Sequence, residues 1–339
     1  MRRLFLLTTL LFLQCEEAPQ APSNQDQAPS FGIVIHGGAG TILKENMTPE
    51  LEKEYRKVLA EAVEVGYTIL KAGGTSQEAV EKTIHVMEDS PLFNAGKGAV
   101  LTAEGYASLD ASFMEGKTLN AGAISGVQHI KNPITTAIAV MEQSPHVMLS
   151  GKGADAFAAS LGLDTVPNNY FITDRRKNAL KRVQESEARK VSFYDPFIHD
   201  SKFGTVGCVA LDKAGNLAAG TSTGGMTNKK WDRIGDAPII GAGTYANNNS
   251  CGVSATGWGE FFIRSVVAHD IAALVEYKGL DIKTAAKTVL KKVADLGGDG
   301  GVIVLDRQGN VAMEFNTAGM YRAHMDAQGK QTIRIYKDD

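Results

Sequence analysis

Apolar and polar residues alternate along this chain in blocks that predict helices early and paired strands late. Residues 31–36 form a short apolar run typical of a buried strand, and the glycine-rich stretch 37–40 that follows is predicted to be a loop. Residues 51–71 have an apolar residue at every third or fourth position. This spacing predicts an amphipathic helix, whose apolar face comprises Leu59, Ala62, Val63, Tyr67 and Leu70.

Capping residues place the next elements. Thr75 and Glu78 have the spacing of a capping box, which predicts a second helix that ends near Met87. The apolar stretches 108–114 and 122–127 are short enough to be strands. The first half of the chain therefore combines helices with at least three strands.

The second half of the chain contains a faint internal repeat. The stretch VALDKAGNLA at 209–218 resembles VLDRQGNVA at 304–312, and each predicts two apolar strands joined by a glycine-containing turn. Helices are predicted between them, at about 260–277 and 281–296. Two such hairpins suggest two antiparallel sheets, and this element order fits a layered α/β sandwich better than a βαβ repeat.

Composition narrows the function classes. The chain has 339 residues, 43% of them hydrophobic, and a net charge of -3, which argues against nucleic acid as a main partner. Cys15, Cys208 and Cys251 form no metal-spaced pair, and the seven histidines are scattered. Cys208 lies within an apolar run, which predicts a buried, unreactive thiol. We therefore predict no transition-metal site.

An export signal is predicted at residues 1–15. Two arginines precede an apolar stretch that is too short to span a bilayer. Cys15 follows, an arrangement that resembles bacterial lipoprotein signals with a lipidated cysteine, although Gln14 replaces the small residue preferred there. An ordinary cleaved signal peptide is the alternative. Residues 16–30 are rich in Gln, Pro, Ala and Ser and predict a flexible tether, so we expect a protein exported to the periplasm or anchored to the membrane of a bacterium.

Thr205 carries the main chemical hypothesis. It follows Gly204 at the start of an apolar run, directly after the charge-dense segment 167–203, which we predict to be a mobile linker. A threonine hydroxyl is a weak nucleophile without an adjacent base, and cleavage before Thr205 would free an α-amine that titrates near about pH 8. We predict self-cleavage into 31–204 and 205–339, with Thr205 as the nucleophile. A threonine that merely suits a strand is the alternative.

Six glycine- and threonine-rich motifs occur in order along the chain. They lie at 36–40 (HGGAG), 91–96 (PLFNAG), 204–207 (GTVG), 221–229 (TSTGGMTNK), 241–247 (GAGTYAN) and 256–260 (TGWGE). In these motifs the chain resembles the plant-type asparaginase / isoaspartyl peptidase family of N-terminal-nucleophile hydrolases, the T2 threonine peptidases. The resemblance implies the four-layer αββα fold, self-cleavage, hydrolysis of β-aspartyl dipeptides and L-asparagine without an organic cofactor, and a dimer of αβ heterodimers.

The resemblance also implies roles around the nucleophile. The hydroxyl of Thr223 would orient Thr205, and Thr256 with the backbone N–H of Gly257 would form the oxyanion hole. Each such donor typically contributes about 2.7–4 kcal/mol to catalysis. The loop that contains Asn94 would approach and position the nucleophile. Threonines that only form turns beside glycines are the alternative.

A substrate clamp is implied downstream. Arg233 would bind the α-carboxylate of the substrate and Asp236 its α-ammonium, because guanidinium pairs bidentately with carboxylate. A surface salt bridge is the alternative. Gly257 and Gly259 would let the substrate lie against bare backbone. Trp258 stands between them where the family pattern favours a small or polar residue, so its effect on side-chain preference is open.

The resemblance implies a structural sodium ion as well. Backbone carbonyls would hold it, and oxygen ligands suit a hard monovalent cation. The implied ligands are the carbonyls of Met87, Glu88, Ser90, Phe93, Ala95 and Lys97.

Two other functions compete with this interpretation. A glycosylasparaginase would perform the same chemistry on a sugar-linked asparagine, and export would suit it. A non-catalytic lipoprotein could capture amino acids through Arg233 and Asp236. The pair Gly204 and Thr205 opposes the second alternative, because binding needs no scissile bond.

Overall fold

The structure, a computed structural model, describes residues 31–188 and 204–339. Its strands are β1 (Gly32–Gly40), β2 (Leu109–Glu115), β3 (Ala121–Val127), β4 (Met148–Ser150), β5 (Val206–Leu211), β6 (Leu217–Thr223), β7 (Thr244–Ala246), β8 (Cys251–Gly257), β9 (Gly300–Asp306), β10 (Val311–Phe315), β11 (Gly319–Met325) and β12 (Gln331–Tyr336). Its α-helices are α1 (Pro49–Lys71), α2 (Ser76–Glu88), α3 (Pro133–Gln143), α4 (Gly151–Ser160), α5 (Asp174–Ala188), α6 (Gly259–Ser265), α7 (Val267–Lys278) and α8 (Ile282–Asp295).

The strands form two sheets that pack face to face. The larger sheet has the order β12-β11-β1-β5-β6-β2-β3-β4, and the smaller has the order β10-β9-β8-β7. Neighbouring strands are antiparallel except for β3 and β4. Helices α1 to α4 pack against the larger sheet, and α7 and α8 pack against the smaller one. The expected four-layer αββα sandwich is confirmed.

Three apolar cores hold these layers together. Side chains alternate across each strand, so Ile33 and Ile35 of β1 face the helices while Val34 faces the smaller sheet. Burial on both faces explains why the central strands are continuous apolar runs in the sequence. The core between the sheets includes Val34, Val209, Leu211, Leu217, Ile303 and Leu305.

The predicted helices form, with one interruption. The predicted apolar face of α1 is buried, and the Thr75 hydroxyl accepts a hydrogen bond from the Glu78 N–H at 3.1 Å at the start of α2. The single helix predicted at 260–277 is wrong, because Val266 adopts φ +50° and divides it into α6 and α7. The loop predicted at 37–40 is also wrong. Strand β1 continues to Gly40 through a bulge between His36 and Gly38.

The predicted hairpins form, one in each sheet. Asp212 in the β5–β6 turn and Asp306 in the β9–β10 turn each accept backbone N–H bonds from the residues two and four positions further on. Asp326 forms the same turn between β11 and β12. The two predicted turns therefore belong to a motif that occurs three times within the described residues.

Segment 167–203 is not a linker throughout. Its first part contains helix α5, which buries Leu180 and Val183, and Arg176 donates to the Gly98 carbonyl at 2.5 Å. The remainder, 189–203, lies outside the described residues, as do residues 1–30 with the predicted signal, tether and Cys15. Across 31–188 and 204–339, the structure has no helix with the length and apolarity needed to cross a membrane.

Candidate active site

Thr205 directly precedes β5, in the middle of the larger sheet. Strands β5 and β6 are antiparallel neighbours, with Val206 opposite Ser222, so the start of β5 lies beside the end of β6. This pairing brings Thr223 to Thr205, and the two side chains are buried. The Thr205 hydroxyl donates to the Thr223 hydroxyl oxygen at 3.1 Å.

The carbonyl of Gly204 is the acceptor around which these side chains converge. It accepts a hydrogen bond from Asn94 Nδ2 at 2.6 Å and another from the Thr223 hydroxyl at 3.2 Å. Two donors on one carbonyl oxygen draw electron density from its carbon and stabilise negative charge on the oxygen. The intact peptide bond before Thr205 is therefore polarised for attack.

Glycine is required at position 204 for conformational and steric reasons. Its φ of +144° is a conformation that other residues rarely adopt, and an added Cβ would lie 3.0 Å from the Asn94 Cβ. Gly38, at the bulge of β1, has φ +114°, and a Cβ there would lie 2.8 Å from the Gly204 Cα. The bulge thus lets β1 approach the scissile peptide closely.

The orientation of the Asn94 amide is set by its neighbours. Its Oδ1 accepts the Val100 N–H at 2.8 Å, and its Nδ2 also donates to the Gly225 carbonyl at 2.8 Å. The Val100 N–H can only donate, and the carbonyls of Gly204 and Gly225 can only accept. Flipping the amide would therefore break all three hydrogen bonds. The –NH₂ group must therefore point to Gly204.

His36 contacts Thr205 through the Thr205 backbone carbonyl. Its Nδ1 donates to the Thr205 carbonyl at 2.8 Å, and its Nε2 lies 2.9 Å from the Ser254 hydroxyl. Burial lowers the pKa of His36 to about 3, so the imidazole is neutral and Nε2 accepts from Ser254. Gly207 makes room for the ring, since a Cβ there would lie 2.2 Å from Nε2. The sequence analysis gave His36 no contact with Thr205.

A small pocket opens beside the two threonines. Gly257, at the end of β8, lines it, while Thr256 is fully buried and its hydroxyl oxygen accepts the Ala39 N–H at 3.3 Å. The structure therefore brings Gly257 to the same cavity as Thr205, whereas Thr256 contacts β1 through its side chain and is not among the residues that line the pocket. The pocket is lined by Thr205, Thr223, Gly225, Met226, Arg233, Gly235, Asp236, Gly257, Trp258 and Gly259.

Arg233 and Asp236 provide the two charges of this pocket. Arg233 Nε and Nη2 donate to the two carboxylate oxygens of Glu260, both at 2.8 Å. Asp236 Oδ2 is buried and accepts no hydrogen bond within the described residues. Burial raises the pKa of Asp236 to about 7. Gly259 lies against both charges, because a Cβ there would be 2.8 Å from Arg233 Nη2 and 2.9 Å from Asp236 Oδ1.

Glu260 is a residue of this site that the sequence analysis quoted in a motif but gave no role. Its bidentate contact explains how Arg233, whose side chain is only 17% exposed, is held in place. The one sequence signal for Glu260 was its place directly after Gly259 in the motif at 256–260. Glu260 and Arg233 are 27 residues apart in the chain, so no local pattern indicated that they pair.

Of the carbonyls implied as sodium ligands, that of Phe93 lies close to Gly98, because a Cβ added there would be 2.8 Å from its oxygen. The Pro91 carbonyl oxygen, which is not one of the implied ligands, would lie 2.7 Å from the same Cβ. Glu88, in contrast, already uses its carbonyl to accept the Lys97 N–H at 2.7 Å. Across 31–188 and 204–339, no group of three or more His, Cys, Asp or Glu side chains could hold a metal ion.

Glu88 contributes to the site through its side chain instead. The buried carboxylate accepts the Ser222 hydroxyl at 2.6 Å and the Ile134 N–H at 3.1 Å. Burial raises the pKa of Glu88 to about 8. Because Ser222 precedes Thr223, this carboxylate fixes the end of β6 next to the candidate catalytic hydroxyls.

The family follows from comparison with known proteins. The family model described as "Asparaginase" matches residues 29–335. The chain belongs to the asparaginase family. Isoaspartyl peptidase of Escherichia coli (strain K12) is 48% identical to it over 308 residues, which cover 90% of this chain and 96% of the relative.

Eukaryotic members of the asparaginase family are similar over nearly the same length. A putative isoaspartyl peptidase/L-asparaginase of Dictyostelium discoideum is 44% identical, over 86% of this chain and 92% of the relative. A probable isoaspartyl peptidase/L-asparaginase 2 of Arabidopsis thaliana is 38% identical, over 91% of this chain and 99% of the relative. The family predicted from the six motifs is therefore confirmed.

Proposed function

We propose that this protein is a self-processing threonine amidohydrolase that hydrolyses β-aspartyl dipeptides and L-asparagine and releases L-aspartate. The observation that carries the proposal is the convergence of Asn94 and Thr223 on the carbonyl of Gly204, beside the Thr205 hydroxyl. The names of the relatives support the substrate class. These comparisons give no support to the glycosylasparaginase alternative.

Self-cleavage begins at the intact peptide. The Thr205 hydroxyl oxygen attacks the Gly204 carbonyl carbon, and its proton passes to the adjacent Thr223 hydroxyl, which gives its own proton to the Gly204 oxygen. Asn94 Nδ2 and Thr223 stabilise the negative charge that develops on this oxygen during the attack. The C–N bond then breaks as this proton moves from the Gly204 oxygen to the Thr205 nitrogen, the carbonyl re-forms, and an ester remains. Water hydrolyses this ester to a Gly204 carboxylate and a free Thr205 amine and hydroxyl.

The processed enzyme uses the same hydroxyl. The free α-amine of Thr205 removes the hydroxyl proton, and the oxygen attacks the side-chain amide carbonyl of the bound aspartyl group. The N–H of Gly257 and the hydroxyl of Thr256 supply the oxyanion donors of this step. The amine or ammonia leaves with a proton, and water hydrolyses the resulting ester to aspartate.

The charged pair selects the aspartyl group. Glu260 occupies Nε and Nη2 of Arg233, which leaves Nη1 for the α-carboxylate of the substrate. Gly225 and Gly235 keep the space near Nη1 open, because added Cβ atoms would lie 3.5 and 2.9 Å from it. Asp236 Oδ2 is a buried acceptor in need of a donor, and the α-ammonium of the substrate supplies one.

The decisive experiment compares the wild type with Thr205→Ala. After incubation, the wild type should give two bands on a denaturing gel, and N-terminal sequencing of the smaller product should begin at Thr205. The Thr205→Ala variant should remain intact. The processed wild type should release aspartate from a β-aspartyl dipeptide. A variant that still splits at this bond would exclude the hydroxyl, and a processed protein that acts only on sugar-linked asparagine would exclude the substrate class.

A structural sodium ion near residues 87–98 is part of the proposal. The family resemblance supports it, with the backbone carbonyls of Met87, Glu88, Ser90, Phe93, Ala95 and Lys97 as the ligands. An ion there would hold the loop that carries Asn94, so it would act on structure and would leave the chemical steps to the side chains. Replacing sodium with choline in the buffer should lower the melting temperature, and an unchanged melting temperature would argue against the ion.

Export and assembly rest on the sequence and the family resemblance. We propose a periplasmic or membrane-anchored protein with a lipid on Cys15, and a dimer of αβ heterodimers. Intact-mass measurement of membrane-extracted protein tests the lipid, and light scattering tests the dimer. Recovery of the protein from the cell interior with residues 1–14 still attached would contradict export.

A further inference from the structure

The pocket has one wall that the proposed chemistry leaves unused. Thr205 and Thr223 belong to the nucleophile, Arg233 and Asp236 to the charged pair, and the remaining small positions are glycines. The other side chains that line the pocket within the described residues are those of Met226 and Trp258. Both are partly exposed.

Trp258 is held in a defined orientation. It stands at the N-cap position of α6 with φ −79° and ψ 96°. Its backbone N–H donates to the backbone carbonyl of Asp299 at 2.9 Å. Its ring meets Phe261 edge to face, with centroids 4.9 Å apart and an interplanar angle of 75°. The guanidinium carbon of Arg264 lies 5.4 Å from the centroid of the Phe261 ring. The backbone contact and the aromatic contact fix the indole at the edge of the pocket.

The geometry of the reaction assigns this wall to the leaving group. The α-carboxylate and α-ammonium of the aspartyl group are directed to Arg233 and Asp236, and its side-chain carbonyl to Thr205. With these three contacts taken by the aspartyl group, Met226 and Trp258 are the lining side chains left for the group beyond the scissile amide. They offer it a flexible thioether and a flat indole, and neither carries a charge.

We propose that Trp258, with Met226, forms an apolar subsite for the leaving group, so that the enzyme favours β-aspartyl dipeptides whose second residue is large and apolar, such as phenylalanine or leucine. This inference rests on the proposed function. Contact with one well-placed apolar group typically changes specificity by about 10- to 200-fold. L-Asparagine and β-aspartyl-glycine have no side chain that reaches Trp258, and they should be the poorer substrates.

The experiment measures kcat/KM of the processed enzyme for β-aspartyl-phenylalanine, β-aspartyl-glycine, L-asparagine and aspartyl-glucosamine. In the wild type, kcat/KM for β-aspartyl-phenylalanine should exceed that for β-aspartyl-glycine by at least about tenfold. Trp258→Ala should reduce this ratio by at least about tenfold, and Trp258→Phe should largely restore it. Trp231→Ala is the matched control, because Trp231 is 93% exposed and does not line the pocket. The ratio of the two kcat/KM values in this variant should equal the wild-type ratio.

Each outcome separates the subsite from the proposed function. Turnover of the β-aspartyl substrates without preference, or an equal loss on all of them in Trp258→Ala, would overturn the apolar subsite and leave the amidohydrolase intact. A preference for the sugar amide would overturn the apolar specificity, since a sugar can also stack on indole. Failure of the processed wild type to hydrolyse any of the four would overturn the function and the subsite together.

Discussion

Replacing Asn94 with aspartate tests the self-cleavage mechanism at one atom. In the structure, Asn94 Nδ2 donates to the Gly204 carbonyl at 2.6 Å, whereas Oδ1 accepts from Val100 at 2.8 Å. Aspartate keeps the second bond and replaces the first donor with an acceptor. Removal of one oxyanion donor typically costs about 2.7–4 kcal/mol, or about 100- to 1000-fold in rate. A negative oxygen beside the developing oxyanion adds to this cost.

The assay follows conversion of purified precursor to two chains on a denaturing gel. Asn94→Asp should process at least about 100-fold more slowly than the wild type. Its melting temperature should fall below the wild-type value, because the new carboxylate is buried against the carbonyl oxygens of Gly204 and Gly225, so the rate is measured on folded precursor. Asn94→Ala removes the same donor without adding charge, leaves the buried Val100 N–H unpaired at about 1–3 kcal/mol, and should also process slowly. Asn169→Asp makes the same charge change at an exposed position and should process normally. Wild-type processing of Asn94→Asp would refute the assignment of this donor.

Three further predictions follow from burial and backbone geometry. Gly204→Ala should fold but process at least about tenfold more slowly, because alanine is strained at φ +144°; wild-type processing on the same gel assay would contradict this. Because burial raises the pKa of Asp236 to about 7, the folded state binds a proton more tightly than the unfolded state, so this group lowers stability as pH rises from about 4 to about 7. Asp236→Asn should therefore raise the melting temperature at pH 8 and leave it nearly unchanged at pH 4, and equal effects at both would exclude this titration. Burial also raises the pKa of Cys208 and Cys251, so both thiols should react with a disulfide reagent only after unfolding, and rapid labelling of the folded protein would be inconsistent with their burial.

The spacing of apolar, capping and turn residues predicted most of the helices and strands, because the contacts that fix these elements join residues close together in the chain. The apolar spacing of α1 and the cap at Thr75 depend on neighbours three or four residues away, and both are confirmed. The aspartate turns at Asp212 and Asp306 bind their own backbone, so the hairpins could also be predicted. The errors occurred where distant partners decide the conformation.

The bulged end of β1 illustrates such an error. Glycines at 37–40 predict a loop by propensity, yet strand β11 pairs with this stretch as far as Gly40 and keeps it extended. The break at Val266 is similar. Its residues have no proline or glycine that would end a helix, and the sequence offers no signal for it.

The sequence by itself determined the family, most of the elements and the choice of Gly204 and Thr205 as the candidate cleavage pair, because these depend on residue identity and short spacing. Only the tertiary structure decided that Asn94, 110 residues from Gly204, donates to its carbonyl, and that Glu260, 27 residues from Arg233, fixes the guanidinium. The physical reason is that a hydrogen bond depends on the distance and direction between two atoms. Sheet pairing and layer packing set those quantities for residues far apart in the chain, and no local pattern encodes them.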